Sequence, residues 1–592
     1  MLSLRPTVLN SLFRGVAITL AALLIPACAP RQKLKREFPP LPKDVDITTK
    51  PPGRYGGIYI SVDPGGGPNT FNYLVAEDAT SMGAISTVLE GLVRRNAMTE
   101  EIIPGLAKSW EIGPDNKTYT FHLREGVKWS DGAPFSADDV VFTYACIYDE
   151  RFPNRHASDY SIDGKPFKVE KIDDLTVRFI TPDIYAPFLE MVGGGSILPK
   201  HALQKFVDNG TLMKAWNIGT HPREIVSTGM FRIASFKPGE RLVYEPNPHY
   251  WRADSAGQRL PYLDLSITKF VRDQNASLAA FATGQSDSEN VSPADVEWVR
   301  RGEKAHNYTV HERGPSTVCN FLWFNQNPEK DKSGKPFVEP YKLKWFQDVR
   351  FRQAVSYGIN REGIIKGVLF GRGTPLWGPE TPANTKWFNP DLQKYPYSPE
   401  QARELLKQAG FRWNEAGELF DSAGNRVSFS LNTNQENPIR QHMATVFKEN
   451  MKDLGIEVKL QLLDFGTFVK KIGESYDYEC GMLGLTGGGD PVGGMSVYLS
   501  SGRMHEWYPN QKKPATAWEA RIDELMMKQL KTLNLAERKK YWFEVQRIMS
   551  EQLPFIYLIT PNSYEGVKDR WENVEIPKAG GITWNLDEYY LK

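Results

Sequence analysis

Cysteine is scarce and scattered in this chain, four in 592 residues. Cys28, Cys146, Cys319 and Cys480 form no C-x-x-C pair, which removes the usual sequence basis for a zinc site or thioredoxin-like chemistry. An excess of either charge is lacking as well: a formal net charge of +1 gives no electrostatic ground for a nucleic-acid or polyanion partner. The nine histidines contain no i, i+4 pair, so each reads as a surface or core residue rather than a metal ligand. G-x-S-x-G, H-E-x-x-H and EF-hand patterns are absent. No constellation assembles a catalytic site, and neither cofactor nor metal is expected.

Long apolar runs are missing too, except near the start. "MLSLRPTVLNSLFR" carries Arg5 and Arg14 and no acid, and the apolar run Gly15–Ala27 follows. That is the layout of an export signal, and the run is short for a membrane span, which takes about 20 residues. "IPACAP" resembles the lipobox of bacterial lipoproteins, with Cys28 as the acylated residue and 1–27 as the signal peptide. Ordinary cleavage after Ala29 is the alternative, disfavoured by Pro30 immediately beyond it. Residues 28–54 are charged and proline-rich and read as a flexible tether. Elsewhere nothing approaches the length of a span, so the mature body is expected to be exported and soluble. In an oxidising compartment one pair among Cys146, Cys319 and Cys480 can bridge; three separate buried thiols is the state expected.

What is present is a long chain, enough for two to four domains, with strand and helix patterns alternating as in mixed α/β proteins. In "TYTFHLREGVKWSDGAPFSADDVVFTYACIYD", Tyr119, Phe121 and Leu123 alternate with polar residues, which predicts a strand with one buried face. Asp131-Gly132 supplies a turn. Ser136 then caps a helix whose first turn holds Asp138 and Asp139, where carboxylates favour the positive helix end. Further on, "VRFRQAVSYGINREGIIKGVLFG" predicts two helices broken at Gly358–Asn360. "SPEQARELLKQAGF" starts at the cap Ser398 and stops at Gly410. A β-α-β run then leads toward "YDYECGMLGLTGGGDPVGGM", residues 476–495, where a strand delivers the chain into a glycine-rich loop. Ligands bind beyond the carboxyl ends of strands in open α/β sheets, so a site is expected at this loop.

The loop does not suit phosphate. It has no lysine or arginine to reach an anion, and Asp490 would repel one. Pro491 and further glycines stand where a Rossmann helix would begin.

The run "YTFHLREGVKWSDGAPFSADDVVFTY", Tyr119 to Tyr144, resembles the signature of the family 5 bacterial extracellular solute-binding proteins, the peptide-binding components of ATP-binding-cassette importers. "VLEGLVRRN", "STGMFRIASFKPGERLVYEPNPHYW", "FLWFNQN", "FQDVRFRQAVSYGINREGIIKGVL" and "QLPFIYLI" extend the likeness from Gly56 to Tyr590. It implies an α/β periplasmic-binding-protein-like clamshell (type II, cluster C), two lobes built from three domains. Domain I would be discontinuous, at 55–88, 197–310 and 554–592, with domain II at 89–196 and domain III at 311–553. Crossovers near His311–Asn325 and Leu553–Tyr557 would form the hinge.

In relatives the segment matching the glycine loop contacts the peptide's N-terminal end. Carried over, the resemblance implies ligand-binding roles for Gly484, Leu485, Thr486, Gly487, Gly488 and Asp490. Leu485 replaces a tryptophan common in the family, and Gly488 replaces the aspartate that pairs with the ligand ammonium. Asp490 is left either to substitute for that acid or to cap the next turn. Trp377, in "GRGTPLWGPETP", is a further pocket candidate or packs beneath its proline loop. Phe71, Asn72, Asn434 and Tyr557 complete the expected lining.

The function implied is a monomeric, lipid-anchored binder that captures di- or oligopeptides by lobe closure and passes them to a membrane permease, without catalysis. Its partners are the solute, the permease and the membrane. Three alternatives stay open: an oligosaccharide or other neutral ligand in the same role, a ligand-sensing receptor without transport, and a hydrolase on the same clamshell. The last would need an activated nucleophile, which the sequence does not offer.

Overall fold

The computed structural model describes Arg36 and residues 38–592 except Asp163, Gly488 and Asn510. The acylation candidate Cys28 and the family-variant position Gly488 therefore lie outside the described residues. Pro40–Lys592 is one compact unit.

The strand predicted around Tyr119 runs from Thr118 to Leu123, with Tyr119, Phe121 and Leu123 buried and the residues between them half-exposed. It sits between antiparallel partners Ala107–Ile112 and Thr176–Ile180, and Lys168–Asp173 closes a four-stranded sheet. The predicted helix is Ala137–Tyr148. Ser136 Oγ accepts from the Asp138 amide at 3.3 Å, and Asp139 reaches back to the Ser136 amide at 3.0 Å. Such a reciprocal cap satisfies amides the helix cannot, and its loss costs about 1 kcal/mol.

A second four-stranded sheet has the order Phe231–Lys237, Arg241–Pro246, Leu265–Val271, Ile58–Pro64, the last pair parallel. One continuous apolar core spans both sheets, and together they make the first lobe. The segment expected as a free tether is fixed from Pro40 onward. Asp46–Ile47 pairs with Arg252–Ala253, and the Asp46 carboxylate sits among Arg94, Arg124 and Arg252. Three guanidiniums around one carboxylate are enough to dock a proline-rich strand that composition alone reads as loose.

The second lobe is built on a five-stranded sheet, in the order Glu457–Leu463, Ser428–Asn434, Cys480–Thr486, Val318–Phe324, Phe555–Tyr557. Val318–Phe324, Phe555–Tyr557 and most of Cys480–Thr486 are nearly continuous apolar runs because both faces are covered, whereas the edge strand Glu457–Leu463 leaves Lys459 and Gln461 exposed. The two-residue period sorts them. Leu322, Phe324, Leu431 and Met482 face one core, and Phe321, Trp323, Leu483 and Tyr557 face another. Helices Val349–Tyr357 and Arg361–Val368, broken at Gly358, and Pro399–Gln408, capped by Ser398, lie where the sequence places them. Antiparallel helices Ala517–Leu530 and Leu535–Gln552 cover the second core.

The chain crosses between lobes twice. Tyr308–Pro315, in a sheet with Ser288–Val291 and Ile559–Lys568, passes through Ser316 and Thr317 directly into Val318–Phe324. The return runs from Phe555–Tyr557 through Leu558 into Ile559–Lys568. The two crossings are tied to each other by the Ser316 amide on the Pro561 carbonyl (2.9 Å) and by the Ser316 and Thr560 hydroxyls (3.2 Å). Cys146, Cys319 and Cys480 are all buried and free.

Candidate ligand-binding site

The strand Cys480–Thr486 ends beside a cavity of about 300 Å³. Its floor is one end of the second core, all of it buried: Cys319 and Phe321 from one crossing strand, Phe555 and Tyr557 from the other. Leu485, Thr486, Gly487 and Asp490 form one wall, the turn Pro491–Gly494 with Val497 and Tyr498 a second, and Glu380 with Trp542 a third. The lining is mostly apolar with a few directed polar groups, as small-molecule sites usually are.

Two buried carboxylates border this space, and they differ in their partners. Asp490 accepts from Arg538 Nη2 at 2.6 Å and from the Val492 amide at 3.1 Å. Arg538 is itself fixed by the Gln529 carbonyl (3.0 Å) and side chain (2.8 Å) and lies over the Trp387 ring. Asp490 thus caps the turn and neutralises a buried guanidinium. Of the two roles the sequence leaves open for it, the geometry shows the cap.

Glu380 has no cation beside it among the described residues. Trp542 Nε1 donates to one oxygen at 3.1 Å and Asn384 Nδ2 to the other at 2.9 Å. Burial pushes its carboxyl up to about 7, against the pull of those two hydrogen bonds and with the help of the nearby Asp490 charge. The Tyr557 hydroxyl, on the same cavity, is buried with no hydrogen-bond partner. Burial, then the Glu380 charge, raises the Cys319 thiol far above its ordinary range, which disfavours the thiolate.

The structure brings Leu485, Thr486, Gly487, Asp490 and Tyr557 together at the cavity. Gly484 faces the opposite side of the sheet, where a Cβ would lie 2.7 Å from Asn320 Oδ1 and 3.0 Å from Arg440 Nη2. At Gly484 glycine is required by the chain's own side chains. Asn434 does not border the cavity either: it accepts from Arg440 and donates to Glu436 at 3.2 Å. Trp377 packs against the core on the Gly484 face with the Arg361 guanidinium 4.5 Å from its ring centre. Phe71 and Asn72 are not at the cavity either. Phe71 is in the first-lobe core against Phe236, and the Asn72 amide donates to the Leu212 and Ala215 carbonyls. Glu380, which the sequence reading passed over, stands three residues after Trp377. The only signal for it in the sequence was an acid set between two prolines, Pro379 and Pro382.

The lobes touch next to the loop. A Cβ on Gly489 would meet Arg95 Nη1 at 2.3 Å and Glu190 Oε1 at 2.5 Å, both from the first lobe. The Ala186 amide donates to the Leu530 carbonyl at 2.8 Å, and Lys531 pairs with Asp183 at 2.9 Å. A first-lobe cavity of about 420 Å³, bordered by Arg95, Glu190, Trp584 and Asp587, adjoins this contact. A larger one, about 800 Å³, opens beside the crossings between Leu278, Asn290, Val318, Phe370 and Ile439.

A two-lobed α/β body joined by two short crossings, with a walled cavity at a strand's carboxyl end, defines a clamshell solute-binding protein. Residues 101–506 match the family described as bacterial extracellular solute-binding proteins, family 5 middle, and the chain belongs to that family. A probable ABC transporter-binding protein of Deinococcus radiodurans is 28% identical over 523 residues, covering 85% of this chain and 86% of the relative. The oligopeptide-binding protein AppA of Bacillus subtilis, solved with a nonapeptide, superposes with a TM-score of 0.73 at 25% identity, over 91% of this chain and all of that one. The periplasmic binding protein MelB of Agrobacterium fabrum, solved with stachyose, gives a TM-score of 0.74 at 21% identity, over 93% and 86%, and shares the fold. Among the described residues no helix is long and apolar enough to cross a membrane.

Proposed function

We propose that this protein is the substrate-binding component of an ATP-binding-cassette importer, that its solute is a peptide, and that lipidated Cys28 anchors it to the membrane beside a permease. The observation that carries this reading is the cavity between the glycine loop and the crossing strands, where an apolar floor meets an unpaired carboxylate and an unpaired hydroxyl. Those features suit a short chain with an apolar body and a polar end. The nonapeptide held by the Bacillus subtilis relative supports the class of ligand.

In this reading domain I comprises 55–88, 197–315 and 559–592, domain II 89–196 and domain III 318–557, with the boundaries drawn at the two crossings rather than at 310/311 and 553/554. Ser316–Thr317 and Leu558 act as the hinge. Solute shifts the lobes toward closure by its differential affinity for the closed form. A neutral sugar is the second reading. Leu485 and the described loop residues supply no free acid, and the stachyose-binding neighbour shares the fold.

Calorimetry on the full-length chain after denaturing release of solute and refolding tests the proposal. Short peptides should bind with a negative heat-capacity change, the mark of apolar burial. Binding of stachyose alone would favour the second reading.

A further inference from the structure

Within the peptide reading, which this inference rests on, we propose that Glu380 is the group that recognises a cationic end of the solute, so that the ligand class is amine-bearing. Glu380 lies in a segment remote in sequence from the glycine loop, yet its Oε2 is 4.0 Å from where a Cβ on Gly487 would be. Both its oxygens are held by neutral donors, Trp542 Nε1 and Asn384 Nδ2. Two N–H donors leave a carboxylate with lone pairs to spare, since it offers about four acceptor positions. The neighbouring acid, Asp490, is already satisfied by Arg538.

The groups facing Glu380 from the surrounding elements are Asp490 on the loop, Cys319 and Tyr557 on the crossing strands and Tyr498 at the end of the helical turn Met495–Tyr498. None is a cation. Arg538, on the same helix as Trp542, is taken by Asp490. A buried carboxylate in that position is costly until a cation arrives, and an ammonium from the solute supplies one. The Tyr557 hydroxyl, otherwise without a partner, is placed to accept or donate beside it.

The test uses the full-length chain stripped of solute and a mixed tetrapeptide pool, offered with free N-termini or after N-acetylation under conditions that also block lysine. Retained peptides are counted by mass spectrometry. The free-amine pool should be retained over the acetylated pool, and Glu380→Gln should lower affinity for the free-amine pool by on the order of 30-fold or more, with little change for the acetylated pool. If the variant does not fold, binding of the free-amine pool by the parent is followed from pH 7.5 to 5.5. It should weaken as pH falls, because a protonated Glu380 no longer attracts a cation. Equal retention of the two pools, a preference untouched by Glu380→Gln, or binding flat across that pH range overturns the assignment of Glu380 and leaves the peptide reading standing. Retention of neither pool overturns the peptide reading itself.

Discussion

Asp490 and Arg538 form a buried ion pair, 2.6 Å between oxygen and guanidinium, that joins the turn after the glycine loop to the helix Leu535–Gln552. Removing one partner leaves the other charge buried alone, a loss of about 3–5 kcal/mol. Asp490→Asn is therefore expected to lower the melting temperature and to weaken free-amine and acetylated peptides alike. A selective loss of free-amine binding in a stable Asp490→Asn variant would assign the cation-binding role to Asp490.

Glu380 behaves oppositely in the empty protein. Burial holds its carboxyl up to about 7, above the usual carboxylate value, so the folded state binds a proton that the unfolded state releases. The unliganded protein should gain stability as pH falls from about 7 toward 4.5. Glu380→Gln should stabilise it at pH 8 by about 1–3 kcal/mol while impairing binding. Chemical denaturation at the two pH values measures both; a destabilised variant at pH 8 would contradict an unpaired charge.

Glu519 shows the other sign. Burial pushes its carboxyl up, but hydrogen bonds from His505, Trp507 and Thr516 outweigh that and hold it at about 2. The stability it supplies is present above pH 4.5 and is lost as pH falls toward 2. Glu519→Gln is expected to cost a few kcal/mol at pH 7, and the difference from the parent should shrink steadily below pH 4.5. A difference that stays constant down to pH 2.5 would mean the loss is one of packing.

Two glycines in the same stretch should respond differently. Gly484→Ala places a methyl 2.7 Å from Asn320 Oδ1, and overpacking of this kind costs about 1–3 kcal/mol. Gly487→Ala meets nothing nearer than the Thr317 carbonyl at 3.4 Å and should leave the denaturation midpoint nearly unchanged. Because Gly487 borders the cavity, its effect should be on solute affinity. Urea midpoints and peptide titrations of both variants separate the two roles.

The features legible in the sequence are local or fixed by a strand's end. The strand Thr118–Leu123 and the cap Ser136 are written in adjacent residues, and the ligand loop follows from where the strand Cys480–Thr486 stops. Leu485, Thr486, Gly487 and Tyr557, all at the cavity, were implied by the family resemblance rather than by the strand's end. Glu380 was not legible, because only the packing of its proline loop against Trp542 brings it to the loop side of the sheet. Trp377, three residues earlier, drew attention as an aromatic and is claimed instead by the Arg361 face of the core. Phe71 and Asn72 look like a binding pair in sequence, yet the first lobe uses one as core and the other to hold two carbonyls.

Mass spectrometry of the solute that co-purifies with the full-length chain, released by unfolding, tests the central claim most directly. Short peptides with free amines are the expected result. A neutral sugar or blocked peptides, with no free-amine species, would contradict it.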